Sequence, residues 1–336
     1  MKTIHFFYAI LLGILISCNA SRNSLNHENK SVETYANTIT LEELKANLYE
    51  ISSDAYEGRD TGEPGQKKAA EFLKKQYKES GLTTPIGDDD YFQEVPKSFL
   101  PGGIKASENV VAYIKGSEFP EEILVLTAHY DHIGTEGEEI FNGADDDGSG
   151  TVAILEIAEA FQQAVNAGNG PKRSILFMNL TAEEKGLYGS KWYVANPLFP
   201  LENHIANLNI DMIGRVDAAH EANPNFIYLI GSDKLSTELH ELSEEVNDSY
   251  IQLDLDYTYN DINDPNRYYY RSDHYNFAKN NIPVIFYFNG VHEDYHKVTD
   301  TPEKINYKLL TKRTKLIFYT AWEIANRKAR LVVDKK

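Results

Sequence analysis

The chain has 336 residues, 42% of them hydrophobic and 25% charged, which is the composition of a globular protein and excludes a chain disordered throughout. Lys and Arg number 33 against 51 Asp and Glu, and the resulting charge of −18 disfavours a nucleic-acid binder, which needs a basic face for phosphates. A single cysteine excludes an intrachain disulfide, a CxxC redox pair and a multi-cysteine zinc site.

The N-terminus begins Met1-Lys2 and runs into an apolar stretch from Phe6 to Ile16. That stretch is too short to cross a bilayer comfortably, which takes ~20 residues. A basic start, a short apolar core and then small or polar residues form a secretory signal. It ends Leu15-Ile16-Ser17-Cys18, which resembles the bacterial lipobox. That resemblance implies cleavage before Cys18, a lipid on Cys18 as the only membrane attachment, and a place in the bacterial cell envelope, in the periplasm or at the outer membrane. Residues 1–17 are then a lipoprotein signal peptide, 18–38 a polar tether, and 39–330 one domain.

Leu41, Leu44, Leu48 and Ile51 have helical spacing. Glu57 to Gly65 is turn-rich, and Gln66 to Ser80 is an amphipathic helix stopped by Gly81. Asp88-Asp89-Asp90 reads as a solvated loop. Strands are then expected at Asn109–Ile114, Ile123–Ala128, Ser174–Leu180, Ile205–Ile213, Phe226–Ile230 and Pro283–Phe288. Helices are expected at Thr151–Ala164, Leu187–Ala195, Leu235–Val246 and Tyr307–Arg327. Strands that are apolar throughout and separated by helices predict an α/β fold, a three-layer α/β/α arrangement with a mixed, mainly parallel central sheet. Neither a repeat nor an internal linker divides the body. The stretch from Asp254 to Tyr270 is rich in Asp, Asn and Tyr and reads as a surface loop forming a cleft wall; it lacks the Gly and closing Glu of an EF-hand.

Five short stretches place metal-type ligands where strands are expected to end. These are His129-Tyr130-Asp131-His132, Asp145-Asp146-Asp147, Glu183-Glu184, Asp211, and His296 beyond the last strand. In open α/β sheets, ligands bind in the crevice at the carboxyl ends of the strands. Imidazole and carboxylate suit zinc. Two His and three carboxylates exceed one tetrahedral ion but suit a pair ~3.5–4 Å apart, bridged by a carboxylate. Such a pair polarises a carbonyl and acidifies a bridging water, and a neighbouring carboxylate must then carry the proton to the leaving group. Adjacent Glu183 and Glu184 offer one side chain for each task.

With these stretches in place, residues 40–328 resemble the dizinc exopeptidases of the secreted bacterial aminopeptidase and plasma glutamate carboxypeptidase type. The resemblance implies two Zn2+ ions and a peptide substrate. It implies His129 and Asp211 on the first ion, Glu184 and His296 on the second, and Asp146 bridging both. It gives Glu183 as general base, Asp131 as the group that orients His129, and Tyr269, among three consecutive tyrosines, as the group that polarises the substrate carbonyl.

Two other motifs lead elsewhere. His292-Glu293-Asp294-Tyr295-His296 spells HExxH, but a zincin needs that motif on a helix, and the flanking Asn289-Gly290 and Pro302 deny it one. His292 and Glu293 therefore read as loop residues at the cleft rim. No GxSxG is present for a serine hydrolase. The alternatives are a single-zinc glutaminyl cyclase of the same fold, or a non-catalytic surface binding protein. An aminopeptidase is favoured over a carboxypeptidase, which would place a cation such as Arg271 near the site.

Overall fold

The computed structural model describes residues 32–87 and 89–335. The signal peptide, Cys18 and the first part of the expected tether lie outside the described residues, as does Asp88. Among the described residues, no helix is long and apolar enough to cross a membrane.

Residues 32–36 are helical, and Val32, Tyr35, Ala36 and Ile39 are buried in the main core. Residues 32–38, within the stretch expected as a tether, thus belong to the packed body. Four buried apolar groups scattered among polar neighbours are too few to announce an element.

Helix α1, Leu41–Ile51, starts at Thr40, whose hydroxyl caps the Glu43 amide; α2, Pro64–Glu79, opens on a proline suited to a first helical turn. Strands β1 (Phe92–Val95), β2 (Ser107–Ile114) and β3 (Phe119–His129) follow, then a small hairpin of β4 (Gly134–Glu136) and β5 (Glu139–Phe141). After it come α3 (Gly150–Asn166), β6 (Arg173–Leu180), α4 (Tyr188–Ala195), β7 (His204–Ile210), β8 (Phe226–Ile230), α5 (Thr237–Val246), β9 (Asp254–Asp256), α6 (His274–Ala278), β10 (Val284–Phe288) and α7 (Tyr307–Asn326).

Eight strands form one sheet in the order β1-β2-β6-β3-β7-β10-β8-β9. The central four, β6, β3, β7 and β10, run parallel. β1, β2 and β8 join antiparallel, and β9 pairs parallel with β8 at the edge, so the sheet is mixed as expected. Strand alternation divides the core: Leu124, Leu126 and Ala128 face the larger cluster, while Ile123 and Val125 face the other side. Residues of α1, α2, α3, α5 and α7 pack on the first face, and those of α4 and α6 on the second.

The stretch from Asp254 to Tyr270 is not wholly a loop, because its first three residues are β9. A three-residue edge strand with an exposed acid carries too little apolar pattern to be read from sequence. The remainder runs through short 3₁₀ turns to Tyr268–Tyr270.

A candidate dinuclear metal centre at the strand ends

Parallel pairing brings four strand ends together. β3 ends on His129, β7 is followed directly by Asp211, β6 leads to Glu183 and Glu184, and β10 leads through a turn-rich loop to His296. The fifth contribution is the irregular turn 144–149 that opens α3.

That turn separates its three aspartates by role. Asp145 Oδ1 accepts the Gly214 amide at 2.6 Å, and its Oδ2 lies 3.1 Å from His292 Nε2. Asp147 Oδ1 accepts the amides of Gly150 and Met212 at 2.8 and 3.0 Å. The Asp300 carboxylate accepts the amides of Asp145 and Asp146 at 3.0 and 3.1 Å. The outer two aspartates thus fasten the turn, and the side chain of Asp146 is left to face the cleft.

The two oxygens of Asp146 point to two ligand groups. Oδ1 lies 3.2 Å from His129 Nε2, which is 3.6 Å from Asp211 Oδ1. Oδ2 lies 2.9 Å from His296 Nε2, which is 3.4 Å from Glu184 Oε1. The structure therefore brings His129, Asp146, Asp211, Glu184 and His296 to one place. Ligand atoms of His129, Asp146 and Asp211 can hold one ion, and those of His132, Asp146 and Glu184 another. Asp146 Oδ2 and Glu184 Oε1 are buried without hydrogen-bond partners, the state expected of donors arranged for a cation. Imidazole and carboxylate are also the donor types that zinc takes, so the residues fit a zinc pair.

Neighbours hold these ligands. Ser272 donates to Asp211 Oδ2 at 2.6 Å and accepts from Asn209 at 2.9 Å. Asp131 is beside His129, but its backbone carbonyl, 3.0 Å from Nδ1, makes the close contact. Its carboxylate stands 3.7 Å from Nδ1 and instead accepts from the Glu183 amide at 3.1 Å and the Thr61 hydroxyl at 2.8 Å. Asp131 thus supports both His129 and the backbone of Glu183. Arg59 is fully buried and donates to the carbonyls of Ile51, Tyr130, Asn142 and Gly143 at 2.7–3.0 Å, clamping the turn to the end of β3.

Electrostatics separate the carboxylates. Burial, with Asp211, Glu184 and Asp273 nearby, pushes Glu183 well above the usual carboxylate range despite His129. Burial acts the same way on Asp146, yet His129 and His296 beside it hold its carboxyl well below that range. Glu183 is thus the carboxyl with the greater hold on a proton.

Two expectations are corrected. Tyr269 does not face the cleft; it packs beside Gly231 and His274, with Lys234 over its ring. In a 3₁₀ turn successive side chains point about 120° apart, so three consecutive tyrosines diverge. Tyr268 lines the cleft, Tyr270 a neighbouring recess, and Tyr295 both. The ring of Tyr295 stacks on His296 at 3.8 Å, and burial among the site carboxylates pushes its pKa up, keeping it a hydrogen-bond donor. His292 is in a loop but is buried rather than at the rim, where it pairs with Asp145. The HExxH segment forms no helix.

His129, Asp146, Glu183, Asp211 and His296 line one part of the cleft. Met212, Tyr268, Phe286, Phe288 and Val291 line the rest. Arg271 stands between this cleft and the recess beyond Glu183 and Glu184, its guanidinium 4.8 Å from the Tyr268 ring centre.

A two-ion centre at the carboxyl ends of a mixed sheet defines the class of a cocatalytic metallohydrolase. Residues 109–321 match the model of peptidase family M28, and the chain belongs to that family. It is 30% identical over 270 residues to leupeptin-inactivating enzyme 1 of Streptomyces exfoliatus, covering 79% of this chain and 52% of that protein. It is 32% identical over 197 residues to a probable leucine aminopeptidase 2 of Aspergillus oryzae, covering 55% of this chain and 34% of that protein. The chain thus spans about half, or less, of the length of these relatives. The fold is shared with the Legionella pneumophila LapA aminopeptidase, at TM-score 0.68 and 22% identity over 89% of this chain and 75% of that one. It is shared also with a Zn-dependent exopeptidase from Parabacteroides distasonis, at TM-score 0.65 and 18% identity over 84% and 98%.

Proposed function

We propose that this protein is a dizinc exopeptidase that removes residues from the amino terminus of peptides. The observation that carries the reading is Asp146, whose two oxygens serve two ligand groups in a cleft beside Glu183. His129 and Asp211 would hold the first ion, Glu184 and His296 the second, with Asp146 shared. Bound there, the ions supply Lewis acidity toward the scissile carbonyl and a water acidic enough to attack it.

The chain's own groups do the rest. Glu183, with its raised proton affinity, accepts the proton of the attacking water and delivers it to the leaving amine. The hydroxyl of Tyr295 serves as the donor toward the carbonyl oxygen, the role expected for Tyr269 from sequence. The apolar wall of Met212, Phe286 and Phe288 takes the first side chain, and a free ammonium suits a cleft end rich in carboxylates. The relatives named as aminopeptidases support the choice of terminus.

The test is elemental analysis of the protein beginning at Asn19, with parallel assays on aminoacyl-anilides. Two zinc equivalents and chelator-sensitive release of the N-terminal residue are expected. One zinc without anilide cleavage would replace the reading with a glutaminyl cyclase. No tightly bound metal, and no activity after zinc is restored, would replace it with a binding protein. Glu183→Gln should abolish turnover and keep both metals; unchanged turnover would remove Glu183 from the base role.

Export and lipid anchoring through Cys18 belong to the same proposal, supported by the Leu15-Ile16-Ser17-Cys18 sequence. Metabolic labelling with a fatty acid should mark the full-length protein and not its Cys18→Ser variant.

A further inference from the structure

We propose that His132 is a fourth protein ligand of the second ion, with Asp146, Glu184 and His296, and that it makes this ion the more tightly held of the two. The inference rests on the dizinc reading above and adds a ligand outside the set that the sequence resemblance supplied.

The His132 side chain is fully buried, and neither ring nitrogen has a hydrogen-bond partner. Its Nδ1 lies 3.0 Å from Glu184 Oε1 and 3.9 Å from Asp146 Oδ2, and both of those oxygens are orphaned too. The nitrogen and the Glu184 oxygen are close without forming a hydrogen bond, so their lone pairs converge on a third point. Two ligands of one tetrahedral zinc, at bonds of ~2.0–2.2 Å, stand ~3.3 Å apart. His132 stands 3.0 and 3.9 Å from the Glu184 and Asp146 oxygens, His296 stands 3.4 and 2.9 Å from the same two oxygens, and the ligand atoms of His132, Asp146 and Glu184 all lie within 4.8 Å of one another. Buried polar groups left unpaired are costly, and one cation satisfies three of these atoms together.

The ring is also held in place. The His132 amide donates to Arg59 at 3.2 Å, and a Cβ added at Gly143 would come within 2.5 Å of the ring. Glycine at 143, in a left-handed conformation, leaves the space that the imidazole fills. The second ion would thus have four protein donors including two imidazoles, whereas the first would have three, His129, Asp146 and Asp211. Fewer protein donors leave a position open, and more hold an ion closed in.

The experiment titrates zinc into chelator-stripped protein in competition with a chromogenic chelator, for the wild type and His132→Gln. Two steps are expected in the wild type, a tight one and a weaker one, and His132→Gln should weaken the tight step by roughly 100-fold or more while leaving the other in place. Protein loaded with 113Cd and labelled with 15N-histidine gives a second readout that does not need the variant to fold. Scalar coupling between cadmium and the His132 ring nitrogen supports the proposal. Two bound metals with no such coupling, and an unchanged titration in His132→Gln, would overturn it while leaving the dizinc reading intact. A wild type that binds no metal pair would overturn that reading, and this proposal with it.

Discussion

Replacing Arg59 by methionine keeps the length and apolar stem of the side chain and deletes the guanidinium. The four carbonyls it serves, those of Ile51, Tyr130, Asn142 and Gly143, would lose their charged donor in a site closed to water. At about 1 kcal/mol for each bond lost, and more where a carbonyl is left with no other partner, the change costs about 3–5 kcal/mol. Domains of this kind are stable by about 5–15 kcal/mol, so the loss is a large fraction of the total. It should lower Tm by about 5–8 °C. Thermal and urea unfolding with chelator present measures the effect apart from metal binding. Because Tyr130 adjoins His129 and Gly143 opens the turn that carries Asp146, zinc affinity should fall as well. Arg59→Lys should recover little, since an ammonium cannot reach four carbonyls as a planar fork does. A loss below about 1 kcal/mol with unchanged zinc affinity would refute the reasoning, by showing that the carbonyls find other donors.

Ser272→Ala removes the donor to Asp211 and should weaken the first ion about 10-fold, seen as a shift in one step of the zinc titration. Glu156 on α3 is buried, which lifts its pKa to about 8, with Glu43 and Glu159 adding to the rise and the Asn47 amide, 3.1 Å away, opposing it. The folded state then binds more protons than the unfolded state between the ordinary value and about 8, so stability falls as pH rises through that range. Glu156→Gln should match the wild type near pH 5 and exceed it by about 1–3 kcal/mol near pH 9, measured by urea unfolding at the two pH values.

The layered architecture was legible because β6, β7, β10 and the second half of β3 are buried on both faces and carry apolar runs such as Ile123–Leu126, Ile175–Met178 and Val284–Phe288. Asp146 was legible because it sits in the middle of three aspartates, and the structure supplies the reason: its neighbours are spent on backbone amides. What could not be read depends on distance in the chain. Arg59 lies in a turn-rich stretch, and its bonds reach 71 to 84 residues ahead to Tyr130, Asn142 and Gly143. His132 follows Asp131 directly, but only the fold reveals that its ring turns toward Glu184 rather than into the core. Tyr269 failed on rotation: the stretch near the cleft was found, but not which of three successive rings faces in.

The turn bearing Asp146 is tied to Arg59 behind it and to Gly214, His292 and Asp300 ahead of it. A chain made from the N-terminus forward has synthesised His129, Asp146 and Glu184 long before Asp300, yet until that late residue arrives the turn lacks its anchor. His296 is equally late. The metal centre therefore cannot be completed until about 115 residues after Glu184 have been added, and its earlier ligands wait that long for their partners. The order of residues along the polymer acts as a clock.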